Sequence, residues 1–92
     1  MIKSFNCEDT ALLFSGKRVK QFVNFETVAT RKLQQLDNAA ALESMRAPPG
    51  NRLEALAGNR RGQHSIRINE QWRICFVWKT DGPHNVEIVD YH

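Results

Sequence analysis

Large apolar side chains recur at every second position along two short runs, 64–68 and 72–78, which is typical of half-buried β-strands. A three-residue loop at 69–71 sets Ile66 opposite Ile74, whereas a two-residue loop would set Ile66 opposite Arg73. Only the three-residue loop gathers the apolar side chains on one face, so the pattern predicts that hairpin. The inward positions are then His64, Ile66, Ile68, Trp72, Ile74, Phe76 and Trp78.

A helical period precedes the hairpin. From residue 25 the apolar positions recur every three or four residues, with Asn24 as a candidate N-cap. Asp37-Asn38 is a candidate interruption, and Pro48-Pro49-Gly50 ends any helix by about Ala47. The positions of this apolar stripe are Phe25, Val28, Ala29, Leu33, Leu36 and Ala40.

The N-terminal segment predicts two shorter elements. "MIKSF" indicates a short strand. "CEDTALLFSGK" indicates a short helix, with Asp9 or Thr10 as N-cap and Gly16 as its stop. Helices first and strands afterwards predict an α+β fold, in which the N-terminal helices pack on one face of a small antiparallel sheet. A chain of 92 residues fits one domain, residues 1–92.

The closing segment "VEIVDYH" predicts a last strand after the loop "KTDGPHN". Pairing Trp78 with Val86 sets Ile74 opposite Asp90, and a slip by two residues keeps every side chain on the same face. Alternation therefore gathers three polar groups, Arg67, Arg73 and Tyr91, on the solvent-facing side, with Asp90 and His92 at its edge. We expect Arg73 to face outward there and to support no part of the core.

The chain is basic, with a formal net charge of +3 and an isoelectric point of about 9.2. Arginine suits bidentate contacts with phosphate, so an RNA-binding face and a merely solvated basic face both remain open. Six arginines fall between positions 46 and 73: Arg46, Arg52, Arg60, Arg61, Arg67 and Arg73.

Cysteine usage and hydropathy restrict the remaining classes. Cys7 and Cys75 provide neither a disulfide framework nor a metal-ligand set, so we expect no metal and no other cofactor. No apolar run has the length of a signal peptide or a membrane span, which predicts a reduced cytoplasmic protein. His64 lies at a core-facing position, where a partly buried, hydrogen-bonded ring is the expectation.

Two further stretches carry a resemblance. "PPGNRLEALAGNRRGQHSIRINEQWRICFVW" and the closing "VEIVDYH" are similar to the HigB toxins of bacterial toxin–antitoxin modules, within the RelE/ParE superfamily. The likeness extends nearly end to end, and its most specific parts are "LAGNRRGQHSIRINEQWR" and the terminal Asp-Tyr-His. It implies a ribosome-dependent mRNA endonuclease that cuts the codon in the ribosomal A site. It also implies the family's α+β fold and a helix-turn-helix antitoxin of the HigA type in a hetero-oligomeric complex.

The resemblance also implies a metal-free reaction, in which the ribose 2′-hydroxyl attacks the adjacent phosphate. Arg73 matches the phosphate-stabilising arginine of the family. Asp90, Tyr91 and His92 match its C-terminal catalytic group, with Tyr91 placed to stack on or orient the nucleotide and His92 to carry a proton. The candidate RNA- or ribosome-binding arginines are Arg52, Arg60, Arg61 and Arg67.

Two positions depart from the family pattern. Glu54 stands where some members carry histidine, and Ala57 where they carry lysine. Glu54 is a candidate general base or a solvated carboxylate, and the missing lysine removes one phosphate contact. These departures keep two other functions open: a translation blocker that does not cut RNA, and a gyrase poison of the ParE kind on the same fold.

Overall fold

The computed structural model describes residues 1–91 and confirms the α+β class. Two α-helices, α1 (Glu8–Phe14) and α2 (Glu26–Asn38), precede four strands, β1 (Glu54–Ala55), β2 (His64–Arg67), β3 (Trp72–Lys79) and β4 (Gly82–Asp90). The strands form one antiparallel sheet in the order β1-β2-β3-β4. Short 3₁₀ helices occupy Lys20–Phe25, Leu42–Arg46, Pro49–Asn51 and Gly58–Arg60.

The hairpin of β2 and β3 has the predicted register. Ile66 pairs with Ile74, Arg67 pairs with Arg73, and the Ile68 amide donates to the Trp72 carbonyl at 2.9 Å. Asn69 stabilises the three-residue loop, because its side-chain oxygen accepts from the amides at 71 and 72 at 2.8 and 2.9 Å. The turn chemistry and the alternating pattern therefore favour the same pairing.

The pairing of β3 with β4 differs from the prediction by two residues at Ile74 and by three at Trp78, which pairs with Pro83 rather than Val86. Ile74 lies opposite Ile88 rather than Asp90. The predicted loop was too long: β4 begins at Gly82, which pairs with Lys79, and a register shift between Cys75 and Val77 adjusts the ladder. A side chain at Gly82 would place its Cβ 2.8 Å from the Met1 carbonyl oxygen, and the residue has φ +126°. Glycine is therefore required at this turn.

The N-terminal segment runs beside β4 instead of forming a full strand. Phe5 and Val86 make a single parallel bridge, with the Asn6 amide donating to the Val86 carbonyl at 3.0 Å. The Ile2 amide donates to the Asp37 carboxylate at 2.8 Å, which ties the segment to the end of α2. The prediction of a short strand is thus confirmed only as this one bridge.

Both helices cover the apolar face of the sheet. The predicted apolar stripe packs against the core, with Phe25 and Val28 partly buried and Ala29, Leu33 and Leu36 fully buried. Ala40 is exposed, because α2 ends at Asn38. Asn24 does not cap α2, since a 3₁₀ helix runs into its start. None of the helices in residues 1–91 has the length and hydropathy to cross a membrane. The largest buried core side chains are Phe22, Leu33, Leu36, Met45, Ile66, Ile74, Phe76 and Val86.

Thr10 joins α1 to β4. The helix begins at Glu8 with Cys7 as its N-cap, two or three residues earlier than an N-cap at Asp9 or Thr10 would allow. The Thr10 hydroxyl, which is fully buried, instead accepts a hydrogen bond from the Ile88 amide at 2.9 Å. It therefore satisfies a backbone donor of β4 in the interior.

We expect Thr10→Val to lower the free energy of unfolding by about 1–3 kcal/mol, because the buried Ile88 amide loses its acceptor. Urea denaturation followed by circular dichroism measures this change. Thr10→Ser keeps the hydroxyl and is the matched control, with a smaller loss expected. A Val variant as stable as the Ser variant would show that this hydrogen bond does not hold α1 against β4.

Candidate functional site

The face of the sheet opposite the helices carries the candidate site, but it is not open along its whole length. The segment from residue 51 to 61, here called the crossing segment, contains the edge strand β1 and contacts side chains of β3 and β4, while Cys75 between those contacts is fully buried. Two contacts fasten this crossing segment: Arg73 binds the Arg52 carbonyl, and Arg60 binds Glu87. Burial raises the pKa of the Cys75 thiol, which leaves the group protonated and inert.

Arg73 lies on the predicted face, yet the expectation that it faces outward and supports nothing was wrong. Only 9% of the residue is exposed. Its Nε donates to the Ser65 hydroxyl at 2.7 Å, and one terminal nitrogen donates to the Arg52 carbonyl at 2.8 Å. Strand alternation predicts the correct face of the sheet for Arg73. The burial of Arg73 depends on its contact with the crossing segment, which lies outside the hairpin sequence.

A depression of about 370 Å³ opens beside this guanidinium. Its cationic lining consists of Arg52, Arg67 and Arg73, and Tyr91 closes one side. The Arg73 Cζ lies 5.7 Å from the centroid of the Tyr91 ring, a cation–π distance. The predicted gathering of Arg67, Arg73 and Tyr91 is confirmed, and Asn69 and Glu70 of the hairpin loop complete the lining.

The hairpin loop positions the C-terminal residues. The Tyr91 amide donates to the Gln71 carbonyl, and the Gln71 side chain donates to the Asp90 carboxylate at 3.1 Å. Asp90 pairs with Trp72 in the sheet, so it lies on the opposite face from its neighbour Tyr91. The predicted role of His92 concerns a residue outside the described range. Tyr91 is 41% exposed, which leaves its ring accessible to a ligand in the depression.

Glu54 approaches the same guanidinium from β1. Its Oε1 lies 3.7 Å from a terminal nitrogen of Arg73, and half of its side chain is exposed. β1 pairs with β2 through Glu54 and Ser65, so these two of the three partners of Arg73 lie on one short ladder. The structure therefore brings the candidate base next to the candidate phosphate-binding group.

Arg60 and Arg61 lie outside the lining of the depression. Arg60 pairs with Glu87 at 2.9 Å and also donates to Gln63 at 3.2 Å. Its hydrogen bond with Glu87 raises the pKa of the Arg60 guanidinium. Arg60 thus fastens the crossing segment to β4, whereas Arg61 is exposed.

Ser65 and Lys32 are two polar groups of this region that the sequence reading missed. Ser65 could have been found, because the predicted register sets it diagonally across from Arg73, where a hydroxyl can reach the guanidinium. Lys32 is buried in α2 and its ammonium donates to the Arg67 carbonyl. No local pattern signals that contact, since the two residues lie on different elements.

His64 is partly buried and stacks on Phe76, with ring centroids 6.2 Å apart. The predicted partial burial is confirmed, but the buried Nδ1 has no hydrogen-bond partner among residues 1–91, so this nitrogen is not satisfied as expected. The same part of the chain contains no cluster of three or more His, Cys, Asp or Glu side chains that could hold a metal ion.

Comparison with known proteins points to one family. The family model for the RelE-like toxin of the type II toxin–antitoxin system HigB matches residues 13–92. Toxin HigB-1 of Vibrio cholerae is 42% identical over 79 residues, which cover 74% of this chain and 83% of that protein. An uncharacterised protein of Haemophilus influenzae is 30% identical over 63 residues, or 68% of this chain and 62% of its own length.

We expect Ser65→Ala to lower the free energy of unfolding by about 1.5–3 kcal/mol, because a buried charged donor loses its acceptor. Urea denaturation checks the value. Ser44→Ala, the same substitution at an exposed position, is the control and should change stability by less than about 0.5 kcal/mol. Equal stabilities of the two variants would contradict the anchoring of Arg73 by Ser65.

Proposed function

This chain belongs to the HigB family of RelE-like toxins of type II toxin–antitoxin systems, and from that membership we propose that it is a ribosome-dependent mRNA endoribonuclease. The observation that carries the proposal is the depression where Arg52, Arg67 and Arg73 meet the exposed ring of Tyr91. It combines the two groups that single-stranded RNA requires, cations for its phosphates and an aromatic face for a base.

The reaction proposed is attack of a ribose 2′-hydroxyl on its 3′-phosphate. The new bond joins O2′ to phosphorus, and the bond from phosphorus to O5′ breaks, which leaves a 2′,3′-cyclic phosphate and a 5′-hydroxyl. A base takes the proton of the 2′-hydroxyl and an acid gives one to O5′. The crowded phosphorane between these steps gains negative charge, so fixed cations lower its free energy.

Arg73 is the residue we propose for stabilising the phosphorane. Its Nε and one terminal nitrogen are held by Ser65 and Arg52. A guanidinium held in this way needs no reorganisation when the transition-state charge develops. Arg52 and Arg67 line the same depression and are proposed to bind the flanking phosphates.

Glu54 is the proposed base, since its carboxylate lies within 3.7 Å of the guanidinium that would hold the phosphate. Asp90 and Tyr91 are proposed to orient the nucleotide, with the Tyr91 ring stacking on a base. His92 is proposed as the proton carrier on the resemblance alone. Arg60 and Arg61, outside the depression, are proposed to contact ribosomal RNA.

The partners proposed are the 70S ribosome with its mRNA and a helix-turn-helix antitoxin of the HigA type, in the cytoplasm. A type II toxin has an antitoxin partner by definition of the system. The ribosome would align the mRNA in the A site. This alignment would orient the 2′-hydroxyl toward the phosphate, which the few acid–base groups of the toxin cannot do alone.

Mapping of mRNA 5′ ends after induction of the toxin tests the proposal. Codon-phased cuts within translated frames are the expected result. Translation arrest with intact mRNA would instead show a blocker, and DNA damage with intact mRNA would show a gyrase poison.

In the same assay we expect Arg73→Lys to reduce cleavage by about 10²-fold or more, because an ammonium group cannot reproduce the planar array of donors of a guanidinium held by Ser65 and Arg52. Arg18→Lys, at an exposed position on the helical side of the molecule, is the matched control and should cut normally. Thermal melting confirms that both variants are folded. Full cleavage by folded Arg73→Lys would move the phosphate site elsewhere.

We expect Tyr91→Ala to lower cleavage by about tenfold or more, and Tyr91→Phe to retain most of it, because base stacking contributes about 1–3 kcal/mol and needs only the ring. Single-turnover cleavage on programmed ribosomes measures both rates. If the Phe variant is as slow as the Ala variant, the phenol hydroxyl and not the ring carries the role of Tyr91.

A further inference from the structure

Lys32 is a buried cation that the proposed reaction does not use. It lies in α2, is 7% exposed, and its ammonium donates to the backbone carbonyl of Arg67. Lysine is rarely this buried unless it is paired with an opposite charge. The side chain of Arg67, at the other side of that peptide, lines the depression.

The charges acting on Lys32 within residues 1–91 are all positive. Burial lowers the pKa of the Lys32 ammonium, and the guanidiniums of Arg31, Arg67 and Arg73 lower the pKa further. Arg31 belongs to the same helix, whereas Arg67 and Arg73 belong to β2 and β3. Among residues 1–91, the Lys32 ammonium therefore forms no ion pair, and two arginines of the depression act on it with charge of the same sign.

We propose that Lys32 is a positioning residue whose buried ammonium takes its counter-charge from an RNA phosphate bound in the depression. The proposal rests on the RNA-binding part of the proposed function. Lys32 does not touch the RNA. Its hydrogen bond to the Arg67 carbonyl holds the end of β2 in place. Its charge also adds to the positive electrostatic potential at the depression, because charge interactions are strong across a poorly solvated region.

A phosphate in the depression would favour the charged form of Lys32. Linkage then requires that RNA binding raises the pKa of Lys32, and that affinity falls as pH rises through this pKa. The arginines facing Lys32 stay charged throughout this range. Tyrosine phenols titrate near pH 10, so the titration is done in a Tyr91→Phe background.

The probe is a short single-stranded oligoribonucleotide with 2′-O-methyl groups, which cannot be cut. The ¹³Cε resonance of Lys32 reports its protonation, and we expect its titration midpoint to move to higher pH when the oligonucleotide is bound. A purely structural lysine would titrate at the same pH in both states, and that result would overturn the proposal.

Affinity provides the second test, with two variants that each remove one positive charge from neighbouring positions of α2. We expect Lys32→Met to weaken oligonucleotide binding about tenfold at low salt, because a poorly solvated charge acts strongly. Arg31→Met removes an exposed charge and should weaken binding by about threefold or less, since water and salt screen it. Equal losses would overturn the proposal.

Two further results separate this inference from the function itself. If Lys32→Met is unfolded in urea and thermal melts, the Lys32 titration in the otherwise intact chain still decides. Codon-phased cutting together with an unchanged Lys32 midpoint would refute the role of Lys32 and leave the nuclease in place. A raised midpoint with intact cellular mRNA would support Lys32 and refute the nuclease.

Discussion

The hydrogen bonds of the Arg73 guanidinium are the interaction on which the rest of the site depends. Through Ser65 and the Arg52 carbonyl, this one side chain joins β2, β3 and the crossing segment. The same contacts that stabilise the segment also orient the guanidinium toward the depression. A largely buried arginine loses rotational freedom on folding, so less would remain to be lost on binding of the proposed phosphate.

Charge in this region is only partly balanced within the protein. Glu87 neutralises Arg60, and Glu54 lies near Arg73, while Arg52, Arg67 and Lys32 have no ion-pair partner among residues 1–91. Like charges this close raise the free energy of the folded chain. An anionic ligand would relieve that repulsion, which supports the phosphate site proposed above.

The strand register was predictable from the sequence where it depends on neighbouring residues, and ambiguous where it depends on residues far apart in the chain. Asn69 and the apolar alternation agree on one loop length, so the β2–β3 register follows from neighbouring residues. The β3–β4 register depends on a shift after Cys75 and on Gly82 lying against Met1, a residue at the other end of the chain. Alternation survives a slip of two, so the face of Tyr91 was predicted although its exact pairing was wrong.

By itself the sequence determined which residues share a face, because the period of a strand is a property of neighbouring peptides. It also determined the α+β order and the family resemblance that the comparisons confirm. Only the tertiary structure decided that Arg73 is buried, that Glu54 lies beside it, and that Lys32 reaches the Arg67 carbonyl. Burial depends on what packs over a residue. Arg73 contacts Arg52, which is 21 positions away in the chain, and Lys32 contacts Arg67, which is 35 positions away.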